Sequence, residues 1–235
     1  MLLLAADTSG KQGTIALARL PTSSGNHPGP NRQSAGQIDV IDVVTIAGGT
    51  FSAQLVPQIA ALLSKHRFKK EDISAFAVAS GPGSFTGLRV GLAAIKALAE
   101  VLGKPIAAVS LLEAVASAEH ISGRIMSALD AGRAQVYAGE YEVKDDAQML
   151  SERLLTIDEF VAAAAGCTVV TPDQNIADQA RGAGLPVREV ERPRSDAIAR
   201  LGWRKILAGA TVSPEDLDAN YIRRFDGEIV SNQHR

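Results

Sequence analysis

The chain has 235 residues, 46% of them hydrophobic, and a formal net charge of −2. This length is enough for one large domain or for two smaller lobes, each with its own core. A slightly acidic chain without a run of Lys or Arg does not fit a free-standing nucleic-acid binder, because phosphate contacts require a basic surface. Cys167 is the only cysteine, which excludes an intramolecular disulfide and a thiolate zinc site.

The sequence has no pattern typical of a signal peptide or of a membrane span. The apolar run Met1–Ala6 is too short for the core of a signal peptide and has no basic start. No apolar run approaches the ~20 residues of a membrane span. We therefore expect a cytoplasmic protein that does not enter a membrane.

Hydrophobic periodicity predicts an alternation of strands and helices along the whole chain. The predicted strands are Leu2–Ala6, Thr14–Leu20, Ile38–Ala47, Ala75–Ala79, Ile106–Val109, Arg124–Leu129, Gln135–Val143, Thr168–Thr171 and Val187–Val190. The predicted helices are Phe51–His66, Thr86–Leu102, Leu111–His120, a short helix capped by Thr156, Gln174–Ala183 and Ser195–Ala208. The segment Pro21–Gln37 is rich in Gly, Pro, Ser and Asn, which is typical of an exposed loop.

The second half of the chain repeats the order of predicted strands and turns found in the first half. Leu3–Asp7 and Ser127–Asp130 are both apolar strands that end in an aspartate, and a tight turn and a return strand follow each. The sequence therefore predicts an α/β protein of two similar lobes, residues 1–105 and 106–235. We expect the last segment to pack back on the first lobe.

The most informative motif begins at Ser80, where a predicted strand ends. It reads SGPGSFTGLR and comprises Gly81, Pro82, Gly83, Ser84, Phe85, Thr86, Gly87 and Arg89. Gly81 and Gly83 permit backbone angles or close approaches that a Cβ would block, and Ser84 or Thr86 can cap the helix behind them. Such a corner can bind an anion or can set a helix tightly against a sheet, and the pattern alone favours the second interpretation.

The helix Thr86–Leu102 is apolar nearly all round, so we expect other parts of the protein or a partner to pack against more than one of its sides. The amphipathic helix Phe51–His66 also has an apolar face. We predict that these two helices form a protein–protein interface, with a four-helix contact across a dyad. The residues assigned to this interface are Phe51, Leu55, Ile59, Leu88, Leu92 and Ile95.

Two aspartates are candidates for nucleotide chemistry. Asp7 and Asp130 end similar strands, with donors nearby at Thr8, Ser9, Gly10 and Gly132. Such carboxylates can hold Mg²⁺ through water beside a weakly bound ATP or ADP. They can equally accept hydrogen bonds from the N–H groups of their own turns. The four histidines include no i, i+4 pair, so we expect no metal site.

Residues 80–99, SGPGSFTGLRVGLAAIKALA, are similar to the signature of the bacterial TsaB (YeaZ) family. The further segments that fit this family are Leu4–Ser9, Phe51–Pro57, Leu129–Arg133, Pro214–Leu217 and Asn220–Arg223. The chain departs from the family at Phe51, where a His is common, at Gly132, which stands between Ala131 and Arg133, and in the length of Pro21–Gln37.

This resemblance implies two RNase H-like lobes of the actin-like ATPase (ASKHA) superfamily. It also implies a noncatalytic scaffold in forming threonylcarbamoyladenosine at adenosine 37 of tRNA. The implied partners are a TsaD-type paralogue, a TsaE-type ATPase and, when the chain is alone, a second copy. Contact with tRNA is then indirect, through the complex, and the chain itself requires no cofactor. The alternatives are an ATPase or small-molecule kinase that uses Asp7 and Asp130, or a peptidase.

Overall fold

The computed structural model describes residues 1–19, 38–118, 121–144 and 146–222, and these form two compact units. The first unit contains Met1–Ala114 and Arg192–Ala219. The second contains Val115–Glu191 and continues from Asn220. The division therefore follows Ala114 rather than residue 105, because the strand after residue 105 completes the first sheet. The segment Pro21–Gln37 lies outside the described residues.

The first unit is built on a five-stranded mixed sheet in the order β3-β2-β1-β4-β5. Its strands are β1 (Leu2–Asp7), β2 (Gly13–Arg19), β3 (Asp39–Ile46), β4 (Ile73–Gly81) and β5 (Ile106–Ser110). Its helices are α1 (Phe51–Lys65), α2 (Phe85–Leu102) and α6 (Ser195–Leu207), and α3 (Leu111–Ala116) begins directly after β5. The β1–β2 and β2–β3 pairs are antiparallel, whereas β1–β4 and β4–β5 are parallel.

The second unit is built on another five-stranded sheet, in the order β8-β7-β6-β9-β10. Its strands are β6 (Gly123–Gly132), β7 (Gln135–Val143), β8 (Ala147–Thr156), β9 (Thr168–Thr171) and β10 (Val187–Glu189), and its helices are α4 (Ile157–Ala163) and α5 (Gln174–Gly182). Strand order and direction repeat those of the first sheet, three antiparallel strands followed by two parallel ones. This repeat confirms the predicted α/β fold with two similar sheets.

Two elements differ from the prediction. Hydrophobic periodicity predicts no strand over Ala147–Thr156, which forms β8 at the edge of the second sheet. A register shift in the pairing of β7 with β8, together with the exposed Met149 and Leu150, removes the clean alternation that a half-buried strand normally shows. The predicted helix Leu111–His120 ends at Ala116. No helix of the described ranges is long and apolar enough to cross a membrane.

Helix α2 begins and ends as the motif predicts. The Ser84 hydroxyl accepts a hydrogen bond from the N–H of Gly87 and so caps the first turn. At the other end Gly103 adopts the left-handed conformation with φ 62°, which favours glycine. These caps fix both ends of the helix that carries the motif.

Helix α6 packs closely on the sheet of the first unit. A Cβ added at Gly202 would lie 2.4 Å from the Cβ of Ala77 on β4. Trp203 on the same helix is buried. The glycine therefore sets the distance between α6 and the sheet.

We expect Gly202→Ala to destabilise the protein, because the added methyl group must displace α6 from β4. The expected cost is about 1–3 kcal/mol of unfolding free energy, the usual range for overpacking. The matched control is Gly182→Ala on α5, where an added Cβ meets nothing within 4 Å. That variant should keep or raise stability, since Ala is the better helix former. Equal denaturant midpoints for the two variants would contradict the prediction.

Candidate functional site

The glycine-rich motif lies where β4 ends and α2 begins, against the turn that follows β1. Gly81 has φ 118°, a backbone conformation that other residues rarely adopt. A Cβ on Gly83 would lie 2.7 Å from Ser9, and one on Gly87 would lie 2.0 Å from the carbonyl oxygen of Thr8. Each motif glycine is thus required by a turn or by a close approach.

Hydrogen bonds join the same two segments. The Thr8 hydroxyl donates to the carbonyl oxygen of Gly87 at 2.7 Å. The N–H of Ser84 donates to the carbonyl oxygen of Ser9, also at 2.7 Å. A Cβ on Gly91 would lie 2.3 Å from the Thr8 hydroxyl oxygen. These contacts hold the start of α2 against the turn after β1.

Asp7, the first candidate carboxylate, is buried at the end of β1. One of its oxygens accepts a hydrogen bond from the N–H of Ser9 at 2.9 Å. Burial raises the pKa of Asp7 above its ordinary value, and the hydrogen bond from Ser9 and the charge of Arg192 oppose this effect. Thr8 and Ser9 are also buried, beneath α2. Their hydroxyls are therefore not presented to an incoming phosphate.

Asp130, the second candidate carboxylate, is exposed at the corresponding turn of the second unit. Its side chain accepts a hydrogen bond from the N–H of Gly132 at 2.8 Å, and Gly132 has φ 72°. The N–H of Asp130 donates to the Asp173 carboxylate at 2.8 Å. Both aspartates therefore accept from the residue two positions later in their own turns.

Two charged residues near these turns, Asp173 and Arg192, are not among the site residues predicted from the sequence. Asp173 precedes α5, and the aspartate directly before that predicted helix was the available signal. Arg192 lies near the turn after β1, because a Cβ added at Gly10 would be 4.0 Å from the Nε atom of Arg192. No sequence pattern links Arg192 to Gly10, because the two are far apart in the chain.

Each unit has a cavity beside its turn. A cavity of about 610 Å³ in the first unit is lined by residues that include Lys11, Gly48, Ser52, Thr86 and Val90. A second, of about 450 Å³, is lined in the second unit by Arg133, Ala134, Gln135, Thr156, Ile157 and Asp158. Neither lining includes Asp7 or Asp130.

Across residues 1–19, 38–118, 121–144 and 146–222, no three His, Cys, Asp or Glu side chains form a group that could hold a metal ion. His66 bonds instead to Asp42 at 2.8 Å, and Lys65 bonds to the same carboxylate at 2.7 Å. These two hydrogen bonds lower the pKa of Asp42 to about 2 and fasten the end of α1 to β3. His27, His120 and His234 lie outside the described residues.

The predicted interface residues require a correction. All six, Phe51, Leu55, Ile59, Leu88, Leu92 and Ile95, lie in the core of the first unit with exposures of 0–7%. The physical reason is size: the largest apolar side chains of α1 and α2 cover their own sheet. When a helix is apolar nearly all round, its sequence does not show which face will pack against the sheet.

The exposed arcs of the two helices carry smaller side chains. Val56 on α1 is 52% exposed, and Val101 on α2 is 78% exposed. Ala93 and Ala97 on α2 are exposed as well. An apolar surface thus exists on these helices, but different residues form it.

The comparisons with known proteins agree with this architecture. The model of the family described as TsaD, tRNA N6-adenosine threonylcarbamoyltransferase, matches residues 43–187, more than half of the chain. YeaZ from Pseudomonas aeruginosa superposes with a TM-score of 0.70 at 24% identity, over 94% of this chain and 99% of that one.

Two curated relatives have the same name, tRNA threonylcarbamoyladenosine biosynthesis protein TsaB. The Bacillus subtilis protein is 36% identical over 146 residues, which are 62% of this chain and 57% of that relative. The Escherichia coli protein is 27% identical over 189 residues, which are 72% of this chain and 79% of that relative. The match therefore spans little more than half of the Bacillus protein.

The matched family model begins within β3 and covers α1, the glycine-rich motif and the turn at Asp130, but not the turn at Asp7, and the YeaZ fold covers nearly the whole chain. The chain belongs to the TsaD family, and it is similar in sequence to the TsaB proteins of that family and in fold to YeaZ.

Proposed function

We propose that this chain takes part in threonylcarbamoyladenosine biosynthesis on tRNA as a noncatalytic subunit that supports a TsaD-type transferase. The names of the Bacillus and Escherichia relatives support the pathway. The noncatalytic role rests on one observation: both candidate carboxylates accept hydrogen bonds from their own turns.

The first turn does not fit a Mg-nucleotide. The Thr8 hydroxyl donates its hydrogen bond to the carbonyl oxygen of Gly87 on α2, and Ser9 is buried. Asp7 is also buried, and its pKa is raised. A magnesium ligand must be ionised and must reach water or phosphate, and this environment disfavours both. We therefore propose that the chain needs no cofactor of its own, and we assign it no phosphoryl-transfer step.

We further propose that the exposed arcs of α1 and α2 bind the other proteins of the pathway in the cytoplasm. The candidates are a TsaD-type paralogue and, when the chain is alone, a second copy. A TsaE-type ATPase would join the resulting complex. Exposed valines and alanines on two adjacent helices support this assignment, because contiguous apolar surface marks protein–protein contacts.

A reconstituted modification reaction tests the function. We expect tRNA, a TsaD-type transferase, a TsaE-type ATPase and threonylcarbamoyl donor to form the modified nucleoside only when this chain is added. The chain alone should hydrolyse no ATP above a buffer control. Full modification in its absence, or steady ATP turnover by the purified chain, would refute the proposal.

Conservative replacements of the two aspartates separate a structural role from a catalytic one. Asp7→Asn and Asp130→Asn keep an acceptor oxygen for the turn N–H groups but remove the charge that a magnesium ion requires. We expect near-normal modification by both variants in the reconstituted reaction. Loss of modification by a variant that still assembles with the transferase would establish a nucleotide-dependent role instead.

Binding of tRNA provides a further test. Among the cations on or near α6, Lys205 pairs with Glu113 at 2.9 Å and Arg200 donates to the carbonyl oxygen of Ile38. With a net charge of −2, the chain also has no long-range attraction for phosphate. We expect weak, salt-sensitive binding that strengthens when the transferase is present. Submicromolar affinity of the lone chain at physiological salt, measured by filter binding, would contradict the indirect contact.

A further inference from the structure

The edge of the first sheet at which β4 and β5 begin carries several cations. We call this group the cationic edge, and it consists of Arg67, Lys69, Lys70 and Lys104. The first three lie between the end of α1 and the start of β4, and Lys104 lies between α2 and β5. Because β4 and β5 are parallel neighbours, the two connections enter the sheet at the same edge. The net charge of −2 over the whole chain therefore includes a local concentration of positive charge.

Nearby carboxylates neutralise little of this charge. Glu71 lies 4.0 Å from Lys70, and both side chains are largely exposed, so their attraction is weak. The Asp72 carboxylate accepts a hydrogen bond from the backbone N–H of Lys69 at 2.7 Å. In the part of the chain that the structure describes, the other three members of the cationic edge form no ion pair.

Arg67 occupies a backbone position that favours glycine. It follows the C-cap of α1 with φ 60°, and its N–H donates to the carbonyl oxygen of Ser64 at 3.0 Å. Helix α2 ends in the same left-handed conformation, but there the residue is Gly103, with φ 62°. An arginine is less stable than a glycine in this conformation. The backbone therefore gives no reason for an arginine here, and outliers of this kind are concentrated at functional sites.

We propose that the cationic edge binds the phosphate backbone of the tRNA whose modification this chain supports. This inference rests on the proposed function and names the surface that touches tRNA within the complex. Lys and Arg side chains that neutralise phosphates release condensed counterions, which favours binding at low salt. Four cations are too few to hold tRNA against physiological salt, so the lone chain stays a weak binder and the transferase supplies the remaining contacts.

The cationic edge offers charge without a means of reading bases. Phe68, the aromatic residue between Arg67 and Lys69, packs against the core of the first unit. It is therefore not presented for stacking on an unpaired base, which is a common mode of sequence-specific RNA recognition. Phosphate contacts position a nucleic acid, whereas base contacts specify its sequence. The cationic edge thus positions tRNA independently of its sequence.

Removal of two charges tests the surface. We expect the double variant Lys69→Gln/Lys70→Gln to weaken tRNA binding by the chain and the TsaD-type transferase about fivefold or more. The slope of log affinity against log salt should fall by about 1.5, since two phosphate contacts are lost. The matched control, Arg153→Gln/Arg188→Gln, removes two exposed charges from β8 and β10 and should leave both values unchanged. Filter binding over a salt series measures all three proteins, with the transferase and, at low salt, with the full chain alone.

A substitution at Arg67 separates loss of charge from loss of folding. Arg67→Gly removes a cation and supplies the residue that φ 60° favours, so tRNA affinity should fall while thermal stability is kept or raised. Arg67→Lys keeps the charge and should bind tRNA within about twofold of the wild-type affinity. Circular dichroism on heating measures stability, and size-exclusion chromatography verifies assembly with the transferase.

The outcomes separate this surface from the proposed function. Unchanged tRNA affinity in the lysine double variant and in Arg67→Gly overturns the surface and leaves the pathway role intact, as does an equal loss in the control. A wild-type chain that binds no tRNA in either condition also overturns it. Loss of transferase binding, with the low-salt tRNA affinity of the lone variants unchanged, assigns the cationic edge to a protein partner instead. Because binding is measured without catalysis, a selective loss of tRNA affinity supports the surface even if the chain fails to support modification.

Discussion

The arrangement of the first unit depends on the contact between α2 and the turn at Thr8 and Ser9. The positions that face this turn, Gly83, Gly87 and Gly91, have no room for a Cβ. Backbone therefore meets backbone, and hydrogen bonds from Thr8 and Ser84 fix the spacing. A contact of this kind tolerates little displacement, because close-packed interiors transmit strain rather than absorb it. The position of α2, and of every side chain that it exposes, follows from this contact.

In the second unit a different hydrogen bond joins the start of a helix to the turn after the first strand of the sheet. In both sheets the helix after the fourth strand starts beside the turn after the first strand, because these strands are parallel neighbours. In the first unit a backbone carbonyl, that of Ser9, accepts from Ser84. In the second, the Asp173 side chain accepts from the N–H of Asp130. A side-chain link needs no close approach of helix and turn, which explains why no glycine motif precedes α5.

Much of this fold could be predicted from the sequence, because periodicity, the Gly-Pro-Gly turn and the repeated strand–aspartate–turn pattern are local signals. The strand β8 could not, since an edge strand with a register shift lacks a buried face of regular alternation. The sequence also could not predict which faces of α1 and α2 pack against the sheet. Leu88 and Val101 are both apolar, and only the packing shows that the first faces the sheet while the second faces solvent.

That distinction changes what the helices can do. If Leu92 and Ile95 formed the contact surface, the chain would have to expose its own core to bind a partner, and the unit would lose the burial that stabilises it. The exposed arc of α2 instead combines small residues with one basic and one acidic side chain. A surface of this composition gains little from burial alone and depends on close approach and on matched charges.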